Sequence, residues 1–135
     1  MKSRVLDSWS ILEWILDRQP AREVVGTLLR KAGSESAHVL MSAINVGEVY
    51  HILRKHHAEE LASRWRDLSG TLPVTIDVPT IHDVWEAASL KARYPIAYAD
   101  AFAAALAQKH RCPLVTGDPE FRVIADLELD WVGKR

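Results

Sequence analysis

The chain has very little of what stabilises secreted scaffolds or anchors a protein in a membrane. Its 135 residues include one cysteine, Cys112. An intrachain disulfide and a cysteine-based zinc cluster are therefore both excluded. A lone thiol suits a reducing compartment, and the expected location is the cytoplasm. No apolar run approaches the ~18 residues of a membrane-spanning helix. The opening Met1-Lys2-Ser3-Arg4 leads into a short strand-like run, not the long apolar core of a secretory signal. Internal repeats, low-complexity stretches and Gly/Ser linkers are missing, so one domain over residues 1–135 is expected. A dominant charge is missing too: 17 basic against 18 acidic residues leave a net charge of −1. That is not the overall footprint of an electrostatic nucleic-acid binder. A local basic face or a bound cation would have to supply any attraction. The six histidines contain no His-x-x-x-His pair, so zinc has little support. What the chain does have is a globular mix, 48% apolar and 26% charged, which argues against disorder.

Short apolar runs alternate with helical segments. Val5-Leu6 reads as strand one. Ser10-Ile11-Leu12-Glu13 matches a capping box and predicts a helix to about Asp17. Pro20 suits the first turn of a second helix ending near Gly33. Residues 38–41 read as strand two, and Ser42 as the N-cap of a helix reaching about His56. A helix over about 58–68 precedes strand three, Pro73 to Ile76. Thr80-Ile81-His82-Asp83 is a second capping box, opening a helix to about Arg93. A helix from about Ala97 to His110 leads to strand four, Pro113 to Thr116, and Trp131-Val132 predicts a late edge strand. Apolar strands separated by helices imply an α/β fold with a central, mainly parallel sheet and helices on both faces. In such folds ligands bind beyond the carboxyl ends of the strands.

Acids stand at those ends. Strand one ends in Asp7, and Leu114-Val115-Thr116-Gly117 ends in Asp118. Glu48 lies four residues from both Ile44 and Ile52, and so is expected to interrupt an apolar, inward-facing helix row. Asp100 lies in the first turn of a helix whose next positions on that face are Ala103, Ala104 and Ala107, suited to close packing on the sheet. Four converging carboxylates would repel one another and raise their pKa values. A divalent cation relieves that repulsion, and carboxylate oxygens suit Mg2+ or Mn2+ better than Zn2+. Each acid also has a local role open to it. Asp7 and Asp118 could cap helices, Asp118 with Pro119 behind it. Asp100 could face the positive end of its helix dipole, and Glu48 could turn outward.

The segments Arg4-Val5-Leu6-Asp7-Ser8, Asn45-Val46-Gly47-Glu48-Val49, Tyr98-Ala99-Asp100-Ala101-Phe102 and Leu114-Val115-Thr116-Gly117-Asp118 together resemble the PIN-domain family, and within it the VapC-type toxin ribonucleases. They run in family order over nearly the whole chain. The Ala-Asp-Ala-Phe helix start followed by Val-Thr-Gly-Asp is the most specific part. The resemblance implies a three-layer α/β/α domain with four to five strands. It implies a metal-dependent endoribonuclease that hydrolyses RNA with a metal-activated water and leaves a 5′-phosphate and a 3′-hydroxyl. Asp7, Glu48, Asp100 and Asp118 would surround Mg2+ or Mn2+, with Asp7 and Asp100 as direct ligands and Glu48 and Asp118 binding directly or through water. Ser8 and Thr116 would support them. A cognate antitoxin and a homodimer are the implied partners.

Other features have two readings each. Glu120 is close enough to Asp118 to reach the site, and Asp77 reads as a loop acid. Arg54-Lys55-His56-His57 could touch RNA phosphate or simply end a solvated helix. Trp9 and Trp14 could stack a base, line a partner groove or pack in the core. Arg111, Arg122, Lys134 and Arg135 could rim the crevice. Trp14, Ile15, Val24, Val25, Leu28 and Leu29 could form an antitoxin or dimer surface, or ordinary core. Two other classes compete. A non-catalytic PIN-like binding module would be marked by lost acids. A haloacid-dehalogenase-like phosphohydrolase would need an acid two residues after Asp7, where Trp9 stands.

Overall fold

The computed structural model describes residues 2–135; Met1, which opens the segment read as leading into strand one, lies outside the described residues. The elements are β1 (Ser3–Leu6), α1 (Ser8–Ile15), α2 (Ala21–Gly33), β2 (His38–Ser42), α3 (Ala43–Lys55), α4 (Glu59–Leu68), β3 (Thr75–Asp77), α5 (Ile81–Arg93), α6 (Tyr98–Lys109), β4 (Leu114–Thr116) and β5 (Leu129–Trp131). Short 3-10 turns cover Ser69–Thr71 and Pro119–Val123. The sheet runs β3-β2-β1-β4-β5, and every neighbouring pair is parallel. The chain builds outward from β1 to one edge, then returns to place β4 and β5 on the other side. The strand order therefore reverses between β1 and β4, where an open α/β sheet leaves its crevice.

Alternation along the strands sends side chains to two separate cores. Val5, Leu40 and Leu114 face α5 and α6, where Ala101, Ala103, Ala104 and Ala107 are all buried. The alanine face of α6 thus packs close against the sheet, as expected from its small residues. Leu6, Val39, Met41 and Val115 face the other way, onto Ile11, Val25, Leu29, Val49, Leu53 and Trp65 from α1 to α4. The result is three layers, helix on sheet on helix. Among the described residues, no helix is long and apolar enough to cross a membrane.

Local capping signals hold at α3 and α5 but not at α1. Ser42 caps α3, its hydroxyl accepting from the Ile44 N–H at 3.2 Å. The Thr80/Asp83 capping box forms in both directions, at 2.9 and 3.2 Å. The Ser10-to-Glu13 box does not form. Helix α1 starts earlier, at Ser8, and its cap is Asp7. Ser10 is fully buried, and its hydroxyl donates instead to the Val115 carbonyl at 2.7 Å. That bond ties α1 to β4 and removes the hydroxyl from any capping role. Strand β3 begins at Thr75, two residues after the expected start, and β5 spans Leu129–Trp131, ending one residue before the expected stretch does.

Candidate active site

Adjacent strands β1 and β4 deliver the first two acids side by side. Asp7 follows β1 and is 1% exposed. Its Oδ1 accepts from the Ser10 N–H at 2.8 Å, capping α1. Its Oδ2 accepts from the Thr116 hydroxyl at 2.5 Å. That same hydroxyl oxygen accepts from the Asp118 N–H at 3.0 Å. Thr116 is thus a joint between Asp7 and the turn that carries Asp118. Asp118 in turn caps the 3-10 turn beginning at Pro119, its Oδ1 accepting from the Glu120 N–H at 3.0 Å. Asp7 and Asp118 each cap a helical turn while lying at the cleft.

Helices α6 and α3 bring the rest. Asp100 lies in the first turn of α6 and is 7% exposed. Its carboxylate oxygens approach those of Asp118 and Glu120, one oxygen from each lying within 4.8 Å of the others. Glu48, on α3, accepts from the Ser8 hydroxyl at the start of α1. Ser8 is buried, so the hydroxyl fixes a part-buried carboxylate at the rim of the cleft. Glu120 is therefore a fifth acid in the cluster.

The electrostatics follow from this crowding. Burial pushes the Asp7 carboxyl up to about 7; hydrogen bonds from Thr116 and Ser10 oppose the shift and the Asp118 charge adds to it. Asp100 rises to about 8, first through burial and then through the negative charges of Asp118, Glu48, Glu120 and Asp7. Among the described residues, the ion pairs formed by lysine, arginine and histidine go to other acids: Arg4–Asp130, Arg18–Glu13, Arg22–Asp17, His82–Glu86 and Lys109–Asp83. The cluster has no protein counter-charge in that set.

The row of α3 expected to face inward is not the buried one. Ile44 is 40% exposed, and the buried face of α3 is Asn45, Val49 and Leu53. The row through Ile44 and Glu48 is displaced from the core by one position, about 100° around the helix. Glu48 reaches the cleft from the side of α3, not from its core face. Asn45 was missed. It is fully buried, and its Nδ2 donates to the Ala99 carbonyl at 3.0 Å, next to Asp100. Its Oδ1 is buried without a partner among the described residues. The signal was available, since Asn45 shares the i, i+4, i+8 row with Val49 and Leu53. Trp9, read as a base-stacking, groove or core residue, packs over Gly117. A Cβ added at Gly117 would lie 2.2 Å from Trp9 Cη2 and 2.8 Å from the Gly133 Cα. Only glycine allows the chain to leave β4 under that indole.

Comparison with known proteins gives the same architecture. No curated protein sequence matches the chain. The solved structures it resembles include VapBC2 from Rickettsia felis bound to a DNA fragment from its promoter, at TM-score 0.72 and 17% identity, covering 95% of this chain and 97% of that one. VapC20 from Mycobacterium tuberculosis, a sarcin-ricin loop cleaving toxin, aligns at TM-score 0.73 and 17% identity over 93% and 98% of the two chains. VapBC-1 from nontypeable Haemophilus influenzae aligns at TM-score 0.67 and 22% identity over 96% and 97%. At these identities the likeness is one of fold. The family model of the PIN domain matches residues 4–127, a span that contains all five acids of the cleft and the strands that deliver them, and the chain belongs to the PIN domain family.

Proposed function

We propose that this protein is a metal-dependent endoribonuclease, the toxin of a toxin–antitoxin pair, working as one nuclease unit over residues 1–135. The observation that carries the proposal is the group of five carboxylates at the strand-order reversal, two of them held near neutrality by burial and mutual repulsion. Family membership and the resemblance to toxin structures support it.

The donor set fits a hard divalent cation. It is all oxygen, it lacks a protein counter-charge among the described residues, and three of its oxygens lie within 4.8 Å of one another. Mg2+ or Mn2+ is the expected ion. Asp7 and Asp100 would bind it directly, Glu48 and Asp118 directly or through water, with Glu120 beside them. When bound, the ion lowers the pKa of water and offsets charge that develops on the phosphodiester. The protein does the positioning. Thr116 orients Asp7 and steadies the backbone of Asp118; Ser8 orients Glu48. Asn45 pins the α6 turn that carries Asp100. RNA is the expected substrate and the cytoplasm the expected location. A cognate antitoxin and a second copy of the chain are the expected partners.

The test is a cleavage assay on structured RNA that compares the wild type with Asp100→Asn, in Mg2+ or Mn2+ and in EDTA. The expected result is cutting that needs both the ion and Asp100 and leaves 5′-phosphates. Cleavage that persists in Asp100→Asn or in EDTA overturns the assignment.

A further inference from the structure

Every group described in the cleft so far is neutral or negative, yet an RNA strand is a polyanion. Something near the cleft must attract it. The short turn that carries Asp118 and Glu120 also carries Arg122. Arg122 is exposed, and among the described residues it forms no ion pair. Its guanidinium carbon lies 4.0 Å from the centroid of the Trp131 ring. Trp131 ends β5 and is the register partner of Thr116, the residue that joins Asp7 to Asp118. Neighbouring strands are ~4.8 Å apart, so the Trp131 backbone lies one strand from Thr116, the residue that joins the two strand-end acids.

The indole is itself held in place. Its Nε1 donates to the Lys134 carbonyl at 3.3 Å. The Val132 N–H donates to the Thr116 carbonyl at 3.0 Å, which carries the pairing with β4 past the strand end. Gly133 lies against both Gly117 and the Trp131 ring, so the end of β5 is clamped to the end of β4. Stacking fixes the plane of a guanidinium and leaves its in-plane N–H donors free for a phosphate. Lys134 and Arg135 follow directly and are exposed.

We infer that Arg122, stacked on Trp131, is a phosphate-binding rim that seats an RNA strand beside the acidic cleft. This rests on the ribonuclease reading and adds to it the surface that holds the substrate. The rim reads backbone charge, not sequence, so a homopolymer is a sufficient probe.

The experiment measures fluorescence anisotropy of a fluorescein-labelled uridine 12-mer with the Asp100→Asn protein in EDTA, from 50 to 200 mM salt. Adding Arg122→Ala should weaken binding about 3- to 10-fold at low salt and reduce the salt slope by ~0.7, the value of one single-strand phosphate contact. Trp131→Leu should produce a similar loss, and the pair together little more than either alone. Arg122→Lys, which keeps the charge and loses the planar stack, should fall between. Lys91→Ala, at the far end of α5, serves as the control. Melting curves will show whether Trp131→Leu still folds; if it does not, the Arg122→Lys arm carries the test of stacking. Unchanged affinity and slope in Arg122→Ala overturn the inference, as does an Asp100→Asn protein that fails to bind the 12-mer. Metal-dependent cleavage of RNA by the wild type in either case leaves the ribonuclease reading standing; its absence removes both.

Discussion

Thr116 shows how much one hydroxyl can hold. It is fully buried, donates to Asp7 and accepts from the Asp118 N–H. Thr116→Val keeps the shape and removes both bonds, leaving a backbone donor and a carboxylate oxygen each short of a partner. The expected cost is about 1–3 kcal/mol of folding stability. Lost support for metal-binding groups elsewhere weakens metal affinity by about 10- to 100-fold, and the same is expected here for Mn2+. Thr116→Ser should recover most of both. Calorimetric titration with Mn2+ and thermal melts measure the two separately; an unchanged Mn2+ affinity would remove Thr116 from its supporting role. At this scale the sequence was highly legible where acids follow strands, because a strand end has one direction and one crevice. Glu48 was harder. Its helix phase could be set wrongly by one residue, since apolar residues sit on two adjacent rows of α3 and only Asn45, Val49 and Leu53 are buried. Asn45 was passed over because a polar residue inside a helix has many ordinary uses, and its partner, the Ala99 carbonyl, is 54 residues away.

At the scale of elements, the junction from β4 into the Pro119–Val123 turn leaves no room for a side chain at Gly117. Gly117 sits between the Trp9 indole and Gly133, and an added methyl would come within 2.2 Å of the ring. Gly117→Ala must therefore push α1 away from β4 or rotate the turn that carries Asp118. Overpacking of this kind costs about 1–3 kcal/mol. Trp9→Ala in the same chain removes the nearer obstacle and leaves the Gly133 Cα at 2.8 Å, so the double variant should be less destabilised than the sum of the two single changes, though not fully relieved. Chemical denaturation of the four proteins measures that coupling, and strict additivity would show that the indole is not what confines Gly117. The caps of α1 and α5 explain why element boundaries are only partly legible. Both sequences fit a capping box, but only at Thr80/Asp83 are the side chains left to cap: Asp83 Oδ2 accepts from the Thr80 N–H while its Oδ1 accepts from Lys109. At α1, burial gave Ser10 a distant carbonyl, and the acid three residues earlier took the cap. A capping motif specifies local bonds; which serine is buried is settled by the sheet.

For the whole molecule, the carboxylate cluster couples folding, pH and metal. Asp7 and Asp100 carry pKa values of about 7 and about 8 in the folded chain, against ~3.9 for an unperturbed aspartate. Between those limits the folded protein keeps protons that the unfolded chain has released. Raising the pH from about 4 to 8 must then destabilise the metal-free fold, and lowering it must stabilise it. In EDTA, Asp100→Asn cannot ionise at that position, so it should melt higher than the wild type at pH 8, on the order of 5 °C, with a shallower dependence on pH. Equal pH slopes for the two proteins would mean that Asp100 ionises without strain. Mn2+ should reverse the sign of the wild-type effect, because an ion held by these carboxylates needs the charged forms that the bare fold resists. Its apparent affinity should rise with pH from about 6 to 8.5, and binding near neutrality should release protons. Calorimetry at pH 7 in two buffers of different ionisation enthalpy reads that release directly. A binding heat independent of buffer would show that the ion does not displace protons from Asp7 and Asp100, and would move the metal away from them. A matching rise in melting temperature with Mn2+ concentration, steepest at high pH, follows from the same linkage. The cluster's instability without an ion and the affinity expected for one would thus be two measurements of a single arrangement, set by a sheet that places acids from β1, β4, α3 and α6 at its strand-order reversal.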